Sequence, residues 1–347
     1  METAVKERYA NAAAAPEAAL CCPVDYDPQF LKVIPAEVIE KDYGCGDPSR
    51  YLKPGETVLD LGSGTGKICF IAAQVVGATG RVIGVDMTDS MLEVARRNAP
   101  IVAERIGFAN VEFRKGRIQD LARDLEAADR MLVEDGSVDV VVSNCVLNLV
   151  ETAAKAEMFA ELFRVLKDGG RAVISDIVSD EVVPAVLQAD AELWSGCISG
   201  AFTEEGFLQA FLDAGFHGVE ILKYDCEPWR TVEGIEFRAV TVQAMKRGTG
   251  AALERNQAVL YKGPFAEIVD DFGNRMRRGL RYAVSDRLFA LYERSPYAAA
   301  FVFLTPRVAV PIEAAAAFPC DRPELRDPRE TKGEAYRATT AESSCCA

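Results

Sequence analysis

Two sets of residues in this sequence have types and spacings that can do chemistry. The first is Asp60-Leu61-Gly62-Ser63-Gly64-Thr65-Gly66, followed twenty residues past Gly66 by Asp86. Glycines let a backbone turn tightly and approach a ligand at a helix N-terminus. A carboxylate at the tip of the next strand can accept hydrogen bonds from both ribose hydroxyls of a nucleotide-type cofactor. The second set is cysteine, of which the chain has ten. Thiolates are soft ligands that select soft centres over Mg or Ca. Any single one of the ten is more simply a small buried hydrophobe, so what matters is whether several fall where a site should be.

The elements that must position these residues can be read from pattern. Thr57 to Leu61 is an apolar strand running into the glycine turn, and Lys67 to Val76 a helix. Arg81 to Asp86, Val111 to Arg114, Val138 to Ser143 and Arg171 to Asp176 read as further strands, with helices over Ser90 to Asn98 and Ala153 to Leu166. The strands are Val-rich and bounded by polar residues, as in a parallel sheet covered on both faces. This alternation predicts an α/β fold with a doubly wound sheet. A helix over Thr203 to Ala214 and strands at Val219 to Tyr224 and Phe237 to Val242 close the same sheet. Residues 1–50 read as an N-terminal segment and 51–246 as the main domain. After a linker over 247–255, a small, partly β C-terminal appendage is expected over 256–305, with Asp270 to Asn274 as a turn. Residues 306–347, rich in Pro, Ala and charge, read as a flexible tail.

Net charge is −14, which argues against a nucleic-acid partner, since that needs a basic patch, and gives no help in binding anionic lipid. There is no secretory pattern and no apolar run long enough for a bilayer. The expectation is a cytoplasmic protein whose cysteines are thiols rather than a disulfide framework.

The Gly-x-Gly-x-Gly spacing, with Asp60 two residues before its first glycine, resembles the first motif of class I methyltransferases. In that Rossmann-like fold the acidic residue orients S-adenosylmethionine through its amino-acid end. Dinucleotide sites share a glycine turn and an acid, so Asp86 alone does not discriminate. Ligands of such sheets bind at the carboxyl ends of the strands. That places Gly62, Ser63, Gly64, Gly66 and Asp86 around the cofactor, Met87 against the adenine, Ile118 and Gln119 around the base edge, and Asn144 near the methyl donor.

A more specific resemblance lies in Tyr43-Gly44-Cys45-Gly46, Val142-Ser143-Asn144-Cys145-Val146-Leu147-Asn148-Leu149 and Leu193-Trp194-Ser195-Gly196-Cys197-Ile198-Ser199-Gly200-Ala201. Together with the glycine motif and Gly84-Val85-Asp86-Met87-Thr88, these are similar to the arsenite methyltransferase family, in order over about two-thirds of the chain. The resemblance implies that Cys45, Cys145 and Cys197 bind As(III) and that Tyr43 lies by the cofactor. It also implies an N-terminal exchange thiol, for which Cys21 and Cys22 compete, after a segment resembling Val5 to Tyr9. The implied reaction transfers methyl groups from S-adenosylmethionine to thiolate-bound trivalent arsenic. The arsenic would arrive as a thiol complex, with thioredoxin or glutathione as the reductant.

Chemistry supports that reading, because three thiolates can hold As(III) in a pyramid with its lone pair free to attack a methyl group. No general base is then needed, which suits a chain whose one histidine, His217, is expected in a surface loop. Cys69 reads as core. Cys226 follows a strand end, and Cys320, Cys345 and Cys346 fall in the expected tail. Two alternatives stay open: a class I methyltransferase acting on a small organic substrate, and a non-catalytic thiol protein that binds a metal or metalloid. Zinc fits the latter poorly, since it usually takes four ligands and the histidine is distant.

Overall fold

The computed structural model describes residues 1–15, 17, 20, 24–41, 43–127, 129–319 and 321–339. They fall into two units, Met1–Arg247 and Gly248–Ala347. The first opens with helix α1 (Glu2–Ala14) and then alternates β1 (Thr57–Leu61), α2 (Lys67–Val76), β2 (Arg81–Asp86), α3 (Asp89–Ile106), β3 (Val111–Lys115), β4 (Val138–Asn144), α4 (Lys155–Val165) and β5 (Leu166–Ser179). After α5 (Ala191–Ser195) come β6 (Phe202–Thr203), α6 (Glu204–Asp213), β7 (His217–Tyr224), β8 (Arg230–Val232) and β9 (Ile235–Met245). Sheet order is β3-β2-β1-β4-β5-β9-β7, parallel through β5, with β9 antiparallel to both its neighbours. This is the class I methyltransferase architecture.

The unbroken apolar runs of β1 and β4 have a simple cause, which is that both faces of these strands are covered. Successive side chains of a strand point to opposite faces, and here each face has its own core. Leu59, Leu61, Val141, Ala172 and Ile174 pack with Phe159 and Leu162 of α4 and Phe207 and Phe211 of α6. Val58, Val140, Val142 and Val173 pack on the other side with Ile68 and Phe70 of α2 and Leu92 and Ala95 of α3. At the turn after β1, Gly62 has φ +68 and a Cβ there would run into Val146. No other residue would bring β1 so close to the chain leaving β4.

The first 50 residues belong to this same unit. Helix α1 packs on α3 and α5, and Arg8 donates to the Glu192 carbonyl at 2.8 Å and to Ser195 Oγ at 3.0 Å. His217 corrects the sequence reading. It begins β7 opposite Met245 and is only 1% exposed, not a surface loop residue. The α6-to-β7 connection is short, and Phe216 inserts against Phe163 and Phe211, so the strand starts earlier and deeper than local polarity suggests. Among the described residues no helix is long and apolar enough to cross a membrane.

The second unit is mostly β. Its strands are β10 (Leu253–Glu254), β11 (Ala258–Tyr261), β12 (Glu267–Val269), β13 (Arg275–Arg277) and β14 (Arg281–Ala283), then β15 (Phe301–Leu304) and β16 (Ala316–Ala317). Helices α7 (Asp286–Tyr292) and α8 (Pro328–Lys332) complete it. The order β14-β11-β15 forms one antiparallel sheet over a core of Val259, Tyr261, Tyr282, Tyr292 and Phe301. Between β12 and β13 lies the turn expected at Asp270 to Asn274, where Asp270 Oδ1 accepts from the backbone N–H of Phe272 and Asn274.

The expected boundaries of this unit need correction. Leu253–Glu254, within the supposed linker, pairs with Ala316–Ala317, within the supposed tail. Arg326 has a fully buried side chain, paired with Glu254 at 2.8 Å and with Glu330, and donating to the Gln257 carbonyl at 3.1 Å. Residues 306–319 and 321–339 therefore complete the unit. Their composition reads as disordered because much of what holds them, Glu254 and β10, lies far away in sequence. Arg326→Ala should cost this unit about 2–3 kcal/mol in urea unfolding of the full chain. That is short of the ~3–5 kcal/mol typical for breaking a buried pair, because Arg322 still faces both carboxylates. A change below ~1 kcal/mol would contradict this assignment.

Candidate active site

The strand order of the first unit reverses between β1 and β4, and such switch points open a crevice at the carboxyl ends of the strands. A pocket of about 1120 Å³ lies there, its mouth included. Tyr43, Asp60, Gly62, Ser63, Gly64, Asp86, Met87, Ile118, Gln119 and Asn144 all line it, as does Cys145. Gly66 does not line it. It caps the N-terminus of α2 with φ +92, so its part is to start the helix.

At the pocket wall, Asp86 Oδ2 accepts from Gly64 N–H at 2.9 Å and Oδ1 from Thr88 N–H at 2.8 Å. The Thr88 side chain and the Met87 N–H also bear on this carboxylate, which lines the pocket. Burial raises this carboxyl above its ordinary range, against the pull of its hydrogen bonds to Thr88, Gly64 and Met87. Asp60 accepts a hydrogen bond from the Cys69 thiol at 3.1 Å. Burial, and then the Asp60 charge, push that thiol well up. Cys69 is thus a protonated core donor rather than a nucleophile.

The pocket borders on a buried cluster that contains Cys45, Cys145 and Cys197, each no more than 4% exposed, with Trp194, Ile177 and Phe237. The Sγ atoms of Cys45 and Cys145 and a carboxylate oxygen of Asp176 all lie within 4.8 Å of one another. The Cys197 thiol lies against the same loop, donating to the Cys145 carbonyl at 3.0 Å. Cys145 has φ +63 and Cys197 φ +61, a region that costs a non-glycine residue ~1–3 kcal/mol. Strain of this kind persists only where surroundings enforce it. Here Cys145 N–H is held by the Ser175 carbonyl at 2.8 Å, and Trp194 Nε1 donates to the Leu149 carbonyl at 3.1 Å.

Asn144 does something other than the cofactor contact expected of it alone. Its Oδ1 accepts from the N–H groups of Cys45 (2.9 Å) and Gly46 (3.0 Å), and its Nδ2 donates to the Gly46 carbonyl at 2.7 Å and to Tyr26 Oη at 3.2 Å. A Cβ on Gly44 would overlap this amide. The Tyr-Gly-Cys-Gly turn is therefore clamped onto the end of β4, which brings Cys45 beside Cys145.

Three participants escaped sequence reasoning. Asp176 is 1% exposed, and its carboxylate accepts from Leu147 N–H, Asn148 Nδ2 and Ile177 N–H. Burial pushes it up to about 6, with those N–H donors and Lys155 opposing. Lys155, the first residue of α4, donates to the Gly200 carbonyl and sits 4.0 Å over the Phe202 ring. Burial lowers its ammonium to about 8, against the charges of Asp176 and Cys197. Tyr9 of α1 lines the pocket, and its hydroxyl is 3.9 Å from Cys197 Sγ. Burial, then Cys197 and Cys145, hold that phenol well above its ordinary value. Asp176 had one signal, its place at the end of a strand that the pattern marked; Lys155 had only a helical position, and Tyr9 its place in the Val5 to Tyr9 segment marked by the resemblance. Cys226 is exposed. Cys21, Cys22, Cys320, Cys345 and Cys346 lie outside the described residues.

A family model described as a methyltransferase domain matches residues 52–223, and one described as a domain of unknown function matches residues 248–336. The chain is 35% identical to an arsenite methyltransferase of Aquipseudomonas alcaligenes over 82% of its own length and 84% of the relative's. It is 31% identical to an arsenite methyltransferase of Mus musculus over 86% and 79% respectively. Among solved structures it resembles an arsenic(III) S-adenosylmethionine methyltransferase of Chlamydomonas reinhardtii, at 29% identity and TM-score 0.60, covering 85% of this chain and 99% of that one.

Two outcomes follow from the geometry. Asn144→Ala strands two N–H groups and a carbonyl of the Cys45 turn, and should lower stability by ~2–4 kcal/mol in urea unfolding; a loss under 1 kcal/mol would mean the clamp is dispensable. Asp176 holds its proton up to about pH 6 in the fold, against an ordinary value of 3.8. The folded chain binds the extra proton between those values, so this residue's contribution to stability falls as pH rises across that window. Wild-type minus Asp176→Asn stability, followed by urea titration from pH 4 to 6, should slope downward. An upward slope refutes the assignment.

Proposed function

The chain belongs to the arsenite methyltransferase family, and we propose that it transfers methyl groups from S-adenosylmethionine to trivalent arsenic held by the thiolates of Cys45, Cys145 and Cys197. The observation that carries this reading is the gathering of three buried cysteines from distant parts of the chain beside a pocket built for a nucleoside. Asp86 lines the pocket at the end of β2, where the two vicinal hydroxyls of a ribose can meet it, and Met87 and Ile118 offer apolar surface for a base. Asp60 lies deeper in the same pocket, where it can receive the amino-acid end of the cofactor. S-adenosylmethionine supplies a methyl group on a positively charged sulfur, open to in-line attack by the arsenic lone pair.

The protein's own part is chiefly positioning, which can supply up to ~7–11 kcal/mol of a bimolecular barrier in ideal cases. Cys45 and Cys145 are preset by the Asn144 clamp and the strained loop. Cys197 must give up its bond to the Cys145 carbonyl to become the third ligand. As each As–S bond forms, the thiol proton passes to the hydroxide or thiolate leaving arsenic, so no base of the protein is consumed. Tyr9 and Val5 of α1 cover the thiol side of the pocket and keep water from the reacting atoms. Methyl transfer leaves arsenic formally pentavalent. Two thiolates of the protein reduce it to As(III) as they join in a disulfide, and a thiol reductant, thioredoxin or glutathione, reduces that disulfide between turnovers. We place the protein in the cytoplasm, a compartment that keeps free thiols reduced.

The test is direct. Purified chain with S-adenosylmethionine, As(III) and a thiol reductant should yield methylated arsenicals by arsenic-speciation chromatography. Each of Cys45→Ser, Cys145→Ser and Cys197→Ser should slow inorganic arsenite methylation beyond the ~10–100-fold typical of losing an outer partner. Asp86→Ala should weaken S-adenosylmethionine about 10–100-fold by calorimetry, matching the ~1.5–3 kcal/mol of hydrogen bonds to a charged group, while As(III) binding stays unchanged. Wild-type methylation by folded Cys145→Ser would sink the three-thiolate site.

A further inference from the structure

Trivalent arsenic needs three thiolates, yet the site contains a fourth donor that arsenic has no use for. The carboxylate of Asp176 lies within 4.8 Å of both the Cys45 and the Cys145 sulfur. Oδ1 accepts from Asn148 Nδ2 at 2.8 Å and Ile177 N–H at 2.8 Å, whereas Oδ2 accepts from Leu147 N–H at 2.9 Å. The backbone N–H of Asn148 bears on the carboxylate as well, so a cation would share Asp176 with these donors. The residue is 1% exposed, so its carboxylate has little access to bulk water.

We propose that Cys45, Cys145, Asp176 and Cys197 also form a four-ligand site for a thiophilic divalent cation of the zinc class, which competes with As(III) and cannot be methylated. The proposal rests on the three-thiolate reading of the site. Tetrahedral zinc with Zn–S bonds of ~2.3 Å sets its ligand atoms ~3.8 Å apart. Three of the four donors already lie within 4.8 Å of one another, so closing on the ion takes shifts of about 1 Å. The fourth, Cys197, stands outside that triangle, its sulfur 3.0 Å from the carbonyl of Cys145, and would turn away from that carbonyl to complete the set. Three thiolates and a carboxylate carry four negative charges in a buried cluster. A dication cancels two, and the ammonium of Lys155, electrostatically coupled to Asp176 and Cys197, offsets a third. As(III) fills its fourth vertex with its own lone pair. Zn²⁺ has no such pair, which is why it would recruit Asp176, and why it has nothing to donate to a methyl group once bound.

Cobalt(II) reports this site directly. The full-length reduced chain, kept anaerobic with a phosphine in place of a thiol, should develop a thiolate-to-cobalt charge-transfer band and the intense visible bands of tetrahedral Co²⁺. Both should be abolished by Zn²⁺. Cys145→Ser should remove most of the charge-transfer intensity. Asp176→Ala should weaken Co²⁺ by more than the ~10-fold lower bound for losing an outer partner, with Asp176→Glu recovering part of the affinity. If the alanine variant fails to fold by circular dichroism, the glutamate variant decides, since its longer carboxylate should shift the visible bands. In the methylation assay Zn²⁺ should raise the apparent KM for As(III) and leave kcat unchanged. The proposal is overturned if folded chain that binds S-adenosylmethionine shows no charge-transfer band, or if Asp176→Ala binds Co²⁺ as tightly as wild type. Arsenic methylation by a chain that does not bind cobalt defeats this inference alone. Cobalt binding without arsenic methylation defeats the arsenic reading and leaves the four-ligand site standing.

Discussion

The amide of Asn144 is the contact on which the rest of the site depends. It ends β4, and its side chain takes both N–H groups and one carbonyl of the Cys45–Gly46 segment. One residue later the chain turns into left-handed backbone at Cys145. Two thiols separated by 100 positions in sequence thereby meet at the end of one central strand. That strand is rigid because it is buried on both faces and hydrogen-bonded on both edges, to β1 and β5. Sites built on such elements hold their geometry better than sites on loops, and here even the loop residues are tied back to the strand.

The same arrangement concentrates unfavourable terms. Two cysteines with positive φ, a buried carboxylate pushed up to about 6 and a buried ammonium lowered to about 8 lie around one cluster. None of these helps the fold; all follow from gathering sulfur and charge in a place with little water. The two large cores on either side of the sheet, with Phe159, Phe207 and Phe211 on one face and Phe70 and Leu92 on the other, offset that cost. Stability and chemistry are thus divided between the middle of the sheet and its carboxyl edge. Helix α1 joins them differently, covering the edge with Val5 and Tyr9 while Arg8 anchors it to the end of α5.

Much of this was visible in the residue pattern, for reasons that differ from element to element. β1, β2 and β4 were legible because a strand covered on both faces must be apolar at nearly every position, and their observed bounds match the apolar runs to within a residue. The glycine turn was legible because only glycine suits Gly62's backbone and its approach to Val146. His217 was misread because one polar residue beside a short connection looks exposed, when the burial of Phe216 draws the strand inward. Residues 306–319 and 321–339 were misread because much of what holds them, Glu254 and the β10 strand, lies 60 or more positions away, and local composition carries no trace of pairing at that distance.

What the sequence by itself determined is a set of local constraints: which strands are buried, where the chain must turn on glycine, which acid ends β2, and which motifs carry cysteine. Those are properties of single segments, set by sterics and solvation within a few residues. Tertiary structure alone decided that Asn144 holds Cys45, that Cys197 rests on the Cys145 carbonyl, and that Asp176 stands beside two thiols. Each of these joins atoms from segments far apart in the chain. Distances of 3 to 5 Å between such segments depend on how helices and strands pack, and no periodicity along the chain records them.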